Sequence, residues 1–278
     1  MNGKLYIVAT PIGNLEDITL RALKVLKAVD IIAAEDTRHT LKLLNHFEIS
    51  KKLISYYKQN EKSKSDVIIA ELLAGKDVAV VSDAGTPGIS DPGEEVIKLA
   101  IENNIEIIPI PGCVAFVNAL IASGMSTKEF CFQGFLETNK KNKKEKLSSL
   151  IYETRTIILY EAPHKMKTTL QDIFDILGDR NIVLARELTK IHEEFIRDKI
   201  SNILQSNQEF KGEFVIIIEG SKISKQEKDT KELTSLTLEE HYNYYNEQGL
   251  DKKEIIKKVA KDRNVNKNEI YKHFLNKE

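Results

Sequence analysis

The chain has 278 residues, of which 41% are hydrophobic and 30% are charged, and its formal net charge is −1. This composition is typical of a folded globular protein and excludes a disordered chain, and the length allows two medium domains with or without a small appendage. Because the total charge is close to zero, any attraction to nucleic acid must come from local clusters of basic residues.

The first 120 residues alternate short apolar strands with segments of helical spacing, which predicts an α/β domain over residues 1–118. Helical spacing is seen in Leu20, Leu23 and Leu26, and again in Leu41, Leu44 and Phe47. The predicted strands of this domain cover residues 5–9, 31–34, 78–82 and 105–110.

The strand at 78–82 runs into a turn that contains Gly85, Pro87 and Gly88. We expect Asp91 to cap a helix that extends to about residue 103, with a proline at its first position. A glycine turn at the end of a buried strand is a common ligand site in α/β proteins, because the backbone can approach the ligand closely. An ordinary strand-to-helix turn remains the alternative.

A second α/β domain is predicted over residues 119–222, and a helix over 114–122 is expected to bridge the two domains. Helices are expected near residues 144–152 and 164–177, with a short one after Ser201. The predicted strands of this domain cover residues 131–136, 156–161, 181–186, 194–199 and 213–219.

Residues 223–235 are polar and charged, which predicts an exposed linker. Residues 236–278 then show three short helical patterns with tight turns, typical of a helix-turn-helix unit. Residues 251–278 hold nine Lys or Arg and five Asp or Glu, a net charge of +4. A basic nucleic-acid-binding unit and a solvated helical tail both fit this pattern.

The cysteine and histidine patterns predict neither disulfides nor a metal site. Cys113 and Cys131 are the only cysteines, and the six histidines lack the spacing of metal ligands. The apolar run at the N-terminus is too short for a signal peptide, and no run of 18 apolar residues occurs. A cytoplasmic protein is therefore expected.

Four motifs occur in order: TPIGNL at 10–15, EDTR at 35–38, SDAGTPGISDPG at 82–93 and YEAPH at 160–164. Together they resemble the tetrapyrrole methylase superfamily, and more narrowly its branch that methylates the ribose 2′-oxygen of a cytidine in the decoding region of 16S ribosomal RNA. The resemblance covers nearly the whole chain, including the C-terminal helical unit. It implies a two-domain α/β methyltransferase that binds S-adenosylmethionine between its domains and forms a homodimer.

The resemblance also implies a set of residues that bind the cofactor. The family pattern after the Pro-Gly pair tends to be Pro-Ser-Ala, whereas this chain has Cys113, Val114 and Ala115. A hydroxyl contact from that serine is thus impossible here, and such a contact must come from the backbone or be absent. The implied cofactor residues are Pro11, Asp83, Gly85, Thr86, Pro87, Ile89, Ser90, Val114, Ala115, Tyr160, Glu161 and Ala185.

Methyl transfer to a ribose hydroxyl requires removal of a proton and alignment of the acceptor. Polar residues that follow the strands at 31–34 and 181–186 are the candidates for this chemistry, with the arginines suited to phosphate binding. For each of them, an ion-pair network between the domains is an equally good interpretation. The catalytic candidates are Glu35, Asp36, Arg38, Arg186, Glu187, Lys190 and Glu193.

Residues 139–146 carry five lysines and are predicted to form a flexible cationic loop that attracts RNA phosphates. A solvated loop is the alternative, as is a structural role for His164, which follows a strand. Phe132 and Phe135 could stack an unpaired base, although core packing is the expected fate of both. The RNA-binding candidates are Lys140, Lys141, Lys143, Lys144, Lys146 and His164.

Two other functions fit the same residues. A methyltransferase that acts on a tetrapyrrole would use the same cofactor cleft, but it has no need of the lysine cluster. A ribosome-assembly factor with an inactive pocket would bind RNA without transferring methyl groups. Cofactor affinity distinguishes these functions, because weak or absent binding of S-adenosylmethionine would favour the assembly factor over either enzyme.

Overall fold

The computed structural model describes residues 1–206 and 209–275. The chain divides into two compact units. The larger unit comprises Met1–Ser148 and Thr156–Glu219, and the smaller one comprises Ser149–Arg155 and the chain from Gly220 onward.

The larger unit contains two five-stranded sheets, of which the first is entirely parallel with the strand order β3-β2-β4-β1-β5. Its central strands consist of aliphatic residues buried on both faces, as is usual for parallel sheets. The strands are β1 (Leu5–Val8), β2 (Ile31–Ala34), β3 (Lys52–Ser55), β4 (Val78–Val81) and β5 (Ile107–Ile110).

Four helices cover this sheet: α1 (Leu20–Ala28), α2 (Thr37–His46), α3 (Glu61–Leu73) and α4 (Glu94–Glu102). Buried residues of α1 and α2 pack against one face, and those of α3 and α4 pack against the other. The predicted α/β class and the four predicted strands are confirmed, with ends that differ by at most two residues. Strand β3 was not predicted, because it is a half-exposed edge strand that begins with a lysine.

The second sheet is mixed, with the order β6-β7-β10-β8-β9, in which only β6 and β7 pair in parallel. Its strands are β6 (Phe130–Phe135), β7 (Thr156–Glu161), β8 (Asn181–Arg186), β9 (Glu194–Lys199) and β10 (Phe214–Ile218). The accompanying helices are α5 (Ala115–Ser123), α6 (Lys140–Ser149), α7 (Met166–Leu177) and α8 (Ile200–Gln205). Helix α5 packs on this sheet, so the domain boundary predicted at residue 118 falls inside a helix of the second sheet.

Two predictions for the larger unit were wrong. Asp91 does not cap α4, because the helix begins at Glu94 with Gly93 as its N-cap, at a φ of 150°. The lysine-rich segment is not a flexible loop but helix α6, which turns Lys143 and Leu147 inward at a spacing of four residues. Lysine is a good helix former, and these two inward positions give the segment a face that packs.

The smaller unit contains helices α9 (Lys225–Ser235), α10 (Leu238–Asn246), α11 (Lys252–Asp262) and α12 (Lys267–Leu275). Helices α10, α11 and α12 agree with the three predicted helices. The last helix was predicted to end at Asn276, which lies outside the described residues. The predicted linker is largely helical, because Ser224 and Glu227 form a capping box that starts α9. Most of α9 is exposed, as expected for a polar segment.

The core of the smaller unit includes a polar group around His241, whose side chain is fully buried. Its Nε2 lies 3.2 Å from Asp262 Oδ2, which also accepts the Tyr245 hydroxyl at 2.7 Å. Arg263 Nε donates to His241 Nδ1 at 3.2 Å. These bonds join α10 to the end of α11. Throughout the described residues, no helix is long and apolar enough to cross a membrane.

Candidate active site

A cleft of about 340 Å³ opens in the larger unit, with walls from the turn after β4, the start of α5 and the ends of β7 and β10. This volume is in the range of small-molecule sites. Nine of the predicted cofactor residues line it: Asp83, Gly85, Thr86, Ile89, Ser90, Val114, Ala115, Tyr160 and Glu161. Pro11, Pro87 and Ala185 are not among its lining residues, and Ala185 is fully buried in the core beneath α5.

Gly85 holds the floor of the cleft through a short antiparallel bridge to Thr10. The N–H of Thr10 donates to the Gly85 carbonyl at 2.8 Å, and the N–H of Gly85 donates back at 3.1 Å. Gly85 has a φ of +85°, and a Cβ atom there would lie 3.2 Å from Ile12 Cγ2. Both the left-handed backbone and the tight packing therefore require glycine at this position.

Three carboxylates lie close together at the cleft, of which Asp83 and Asp91 line it and Glu35 is their neighbour. Asp83 accepts the N–H of Asp36 at 3.0 Å, and the N–H of Asp83 points to Glu35 Oε2 at 3.4 Å. Burial raises the pKa of Glu35, and the charge of Asp83 adds to the rise against a hydrogen bond from the Asp83 backbone. Burial, together with the charges of Glu35 and Asp83, raises the pKa of Asp91 to about 7. Negative charge is thus concentrated where a cationic ligand would relieve it.

Asp91 is a cleft residue that the sequence analysis assigned to a helix cap. Its raised pKa and its position in the cleft mark it as a functional candidate. The signal available in the sequence was the SDPG segment, which fits a helix cap and a cleft wall equally well. Phe135 was also misjudged, because its side chain is 60% exposed and lines the cleft, whereas Phe132 stacks on Phe116.

The Tyr160 hydroxyl caps the N-terminus of α5, because the side chain of Val114 has no hydrogen-bond acceptor. Val114 is the N-cap of α5 and makes no side-chain cap bond. The hydroxyl of Tyr160 accepts the N–H of Phe116, the second residue of the helix, at 3.2 Å. A serine at position 114 would ordinarily accept such an amide, so the tyrosine satisfies a helix donor from a neighbouring strand.

The first cluster of predicted catalytic residues is internally paired. Asp36 caps α2 by accepting the N–H of Arg38 at 2.8 Å, and it pairs with the guanidinium of Arg38 at 2.7 Å. These contacts hold the pKa of Asp36 well below its usual range. Arg38 is almost fully exposed at the surface, where a phosphate could reach it.

The second cluster forms a network of ion pairs at the ends of β8 and β10. Lys190 Nζ lies 3.1 Å from Glu187 and 3.0 Å from Glu213, and Arg186 pairs with Glu194 at 2.9 Å. Glu193 accepts the N–H of Thr189 at 2.7 Å. This is the arrangement expected of the ion-pair alternative.

Lys190 also lines a second, more open pocket, together with His46 and His192. The other predicted catalytic residues line neither of these two pockets. Their proposed chemistry would therefore require the acceptor to bridge from the surface into the cleft.

The predicted RNA-binding residues fall into two groups. Lys140, Lys141, Lys144 and Lys146 lie on the exposed face of α6, and His164 is exposed in a short 3-10 helix at Pro163–Lys165. Lys143 is buried, donates to Thr169 Oγ1 at 2.8 Å and pairs with Asp172 at 2.7 Å. Its prediction as a phosphate-binding residue was wrong, because its ammonium group is turned into the protein.

Comparison with known proteins places the chain in a family. The sequence profile described as Tetrapyrrole (Corrin/Porphyrin) Methylases matches residues 4–204. The ribosomal RNA small subunit methyltransferase I of Bacillus subtilis is 48% identical over 271 residues, which cover 97% of this chain and 93% of that protein. The protein of the same name from Synechocystis is 44% identical over 272 residues, with 97% and 96% covered.

Solved structures of low sequence identity share the fold. The methyltransferase CobJ matches with a TM-score of 0.61 at 16% identity, over 79% of this chain and 95% of that one. The uroporphyrin-III C-methyl transferase from Thermus thermophilus, complexed with S-adenyl homocysteine, matches with a TM-score of 0.58 at 13% identity, over 78% and 97%. The chain therefore belongs to the tetrapyrrole methylase family, in the branch of the ribosomal RNA small subunit methyltransferase I proteins.

Proposed function

We propose that this protein is an S-adenosylmethionine-dependent methyltransferase that modifies the ribose 2′-oxygen of a cytidine in the decoding region of 16S ribosomal RNA. The observation that carries the proposal is the full-length similarity to small-subunit ribosomal RNA methyltransferases, together with a cleft lined by nine of the expected cofactor residues. A ribosomal acceptor implies that the protein works in the cytoplasm.

The cleft residues fit the cofactor by charge and by shape. S-adenosylmethionine supplies a methyl group on a positively charged sulfonium, and it also carries an ammonium group. Asp83 and Asp91 line the cleft, and with the neighbouring Glu35 they provide the negative charge that such a ligand requires. Gly85 keeps its part of the cleft free of a side chain, and Ile89 and Val114 add apolar surface to the lining. The charge and shape of the cleft lining therefore match a nucleoside that carries positive charge.

The remaining task of the protein is to orient the acceptor and accept its proton. Asp91 lines the cleft, and its pKa of about 7 in the free protein suits proton transfer near neutral pH. Glu35 is the second carboxylate with a raised pKa at this site. Arg38, at the start of α2, is almost fully exposed and would hold a phosphate of the RNA backbone. Asp83→Ala should abolish cofactor binding, and normal binding in calorimetry would contradict this assignment of the cleft.

The exposed lysines of α6 support an RNA acceptor over a tetrapyrrole. Replacing Lys140, Lys141, Lys144 and Lys146 by Ser should weaken RNA binding and reduce its salt dependence by up to about 0.7–0.9 in log–log slope per lysine in phosphate contact. Cofactor affinity should not change. The control replaces four exposed lysines elsewhere: Lys24, Lys27, Lys42 and Lys62. If both sets of substitutions reduce the salt dependence of RNA binding equally, the lysines of α6 are a solvated surface without a specific role in RNA binding.

A homodimer fits an exposed apolar surface beside the cleft. Val117 and Ile121 lie one turn apart on α5, with Ile121 68% exposed, and Phe130 of β6 is exposed as well. Apolar side chains grouped in this way are typical of protein interfaces, and a two-fold dimer would bury them against each other. Light scattering should give twice the chain mass for the native protein and the chain mass for Ile121→Glu. A monomeric native protein would contradict the dimer.

The experiment that tests the acceptor class is transfer of labelled methyl from S-adenosylmethionine to small ribosomal subunits that lack this modification, in parallel with a uroporphyrinogen acceptor. The proposal predicts label in the RNA and none in the tetrapyrrole. Label in the tetrapyrrole alone would establish the first alternative function, and binding of RNA without any transfer would establish the second.

A further inference from the structure

A buried row of polar side chains connects helix α6 to the wall of the cleft. Lys143 Nζ lies 2.8 Å from Thr169 Oγ1 on α7, and Thr169 Oγ1 lies 2.6 Å from Glu161 Oε2 at the end of β7. Asp172, one turn further along α7, pairs with Lys143 at 2.7 Å. Lys143, Thr169 and Glu161 are all buried, so these contacts form without competition from bulk water.

The direction of each hydrogen bond in this row is fixed by chemistry. A lysine ammonium can only donate, so Thr169 Oγ1 must accept from Lys143. The single hydroxyl hydrogen of Thr169 is then directed to Glu161 Oε2. The other carboxylate oxygen, Oε1, accepts the N–H of Ala162 at 2.9 Å. Both oxygens of the Glu161 carboxylate are thereby held, one by a side chain and one by the backbone of the next residue.

The row ends on the segment that forms part of the cleft. Glu161, Ala162 and Pro163 all line the cleft, as does Tyr160. Side chains alternate across a strand, so Glu161 points to the face of the sheet opposite to Tyr160. Tyr160 packs with α5, and Glu161 reaches α7. The Glu161 carboxylate therefore anchors this wall from behind.

We propose that Lys143 and Thr169 are positioning residues, which fix the Tyr160–Pro163 wall of the cofactor cleft through the Glu161 carboxylate. This inference rests on the proposed function, because it assigns the wall to cofactor binding. Without the Thr169 hydroxyl, a buried carboxylate oxygen loses its partner, and the segment shifts until water or another donor satisfies it. A displacement of this wall changes the contacts offered to the cofactor.

The proposal also separates the two faces of α6. Lys143 serves the cofactor cleft from the buried face, and Lys144, the next residue, belongs to the exposed face available to RNA. Neighbouring residues of the same type thus have different roles. Their replacement by the same residue should change different binding constants.

The test is calorimetric titration of the full-length protein with S-adenosylmethionine, without RNA and well below the unfolding temperature. Thr169→Val keeps the side-chain volume and removes the hydroxyl, and Thr169→Ser restores the hydroxyl. We expect the dissociation constant to rise on the order of tenfold in Thr169→Val and in Lys143→Met, as for loss of a buried hydrogen bond. Thr169→Ser should stay close to the native value, and Lys144→Met is the matched control for cofactor binding.

A native dissociation constant in both Thr169→Val and Lys143→Met would overturn the proposal, as would equal weakening in Thr169→Ser. A role in stability alone would lower the melting temperature of these variants without changing the dissociation constant, and that result also contradicts it. If Thr169→Val fails to fold, Lys143→Met carries the test. Failure of the native protein to bind S-adenosylmethionine would refute the proposed function itself.

Discussion

We expect the affinity for the cofactor to depend on pH, because Asp91 titrates near neutral pH in the cleft. Burial and two neighbouring carboxylates raise the pKa of Asp91 from 3.8 to about 7 in the free protein. A bound cation favours the ionised form, so only the deprotonated fraction of the protein is competent to bind. With a pKa of about 7, that fraction is roughly 0.9 at pH 8 and roughly 0.1 at pH 6. The dissociation constant of S-adenosylmethionine should therefore rise about tenfold between pH 8 and pH 6, or about 1.4 kcal/mol.

Calorimetry at pH 8, 7 and 6 measures this dependence directly, and two variants assign it to one residue. Asp91→Asn resembles the protonated side chain at every pH, so its affinity should be at least about tenfold lower at pH 8 and vary less with pH. Asp66→Asn, at an exposed position of α3, should behave as the native protein. Equal affinity of the native protein at pH 6 and pH 8 would show that ionisation of Asp91 does not contribute to cofactor binding.

Three further predictions follow from particular contacts. Gly85→Val places a Cβ atom 3.2 Å from Ile12 Cγ2 on a backbone with a φ of +85°. We expect it to lower the free energy of unfolding by about 1–3 kcal/mol and to abolish cofactor binding. Cofactor binding at the native affinity in calorimetry would contradict this. Tyr160→Phe should destabilise the protein by about 1 kcal/mol, because the Phe116 amide of α5 loses its acceptor. Adding Val114→Ser should restore most of this loss, because a serine at the N-cap can accept the same amide. If the two substitutions change the stability in thermal unfolding independently of each other, they do not share a capping role. Burial lowers the pKa of His241, so the unfolded helices bind a proton that the folded unit does not, and the stability of the unit should fall as the pH drops below 6.5. Hydrogen exchange of the α10 amides, corrected for intrinsic rates, measures this stability. Exchange that is no faster at pH 5.5 than at pH 7.5 would contradict the prediction.

The elements that the sequence predicted correctly are those with local causes. Buried parallel strands such as β2 and β4 appear as continuous aliphatic runs, and the turn at Gly85 is marked by glycine and proline. Strand β3 has no such signal, because an edge strand is exposed on one side and can contain polar residues. Nine of the twelve cofactor residues implied by the family motifs line the cleft, and their role in cofactor binding stays a prediction.

The features that the sequence did not predict depend on contacts between distant segments. Lys143 and Lys144 are indistinguishable by local composition, and only the packing of α6 against Thr169 turns one of them inward. Asp91 has the residue type and the setting of a helix cap, and its raised pKa arises from burial and then from the charge of Glu35, which lies 56 positions earlier in the chain. Long-range charge and burial therefore decided both cases.

The reacting atom of the proposed reaction is the ribose 2′-oxygen of a cytidine. The most direct measurement digests small-subunit RNA, after incubation with the protein and S-adenosylmethionine, to nucleosides and identifies the methylated product by mass spectrometry. We expect 2′-O-methylcytidine with the native protein and no methylated product with Asp83→Ala. A cytidine methylated on its base, or a different methylated nucleoside, would contradict it.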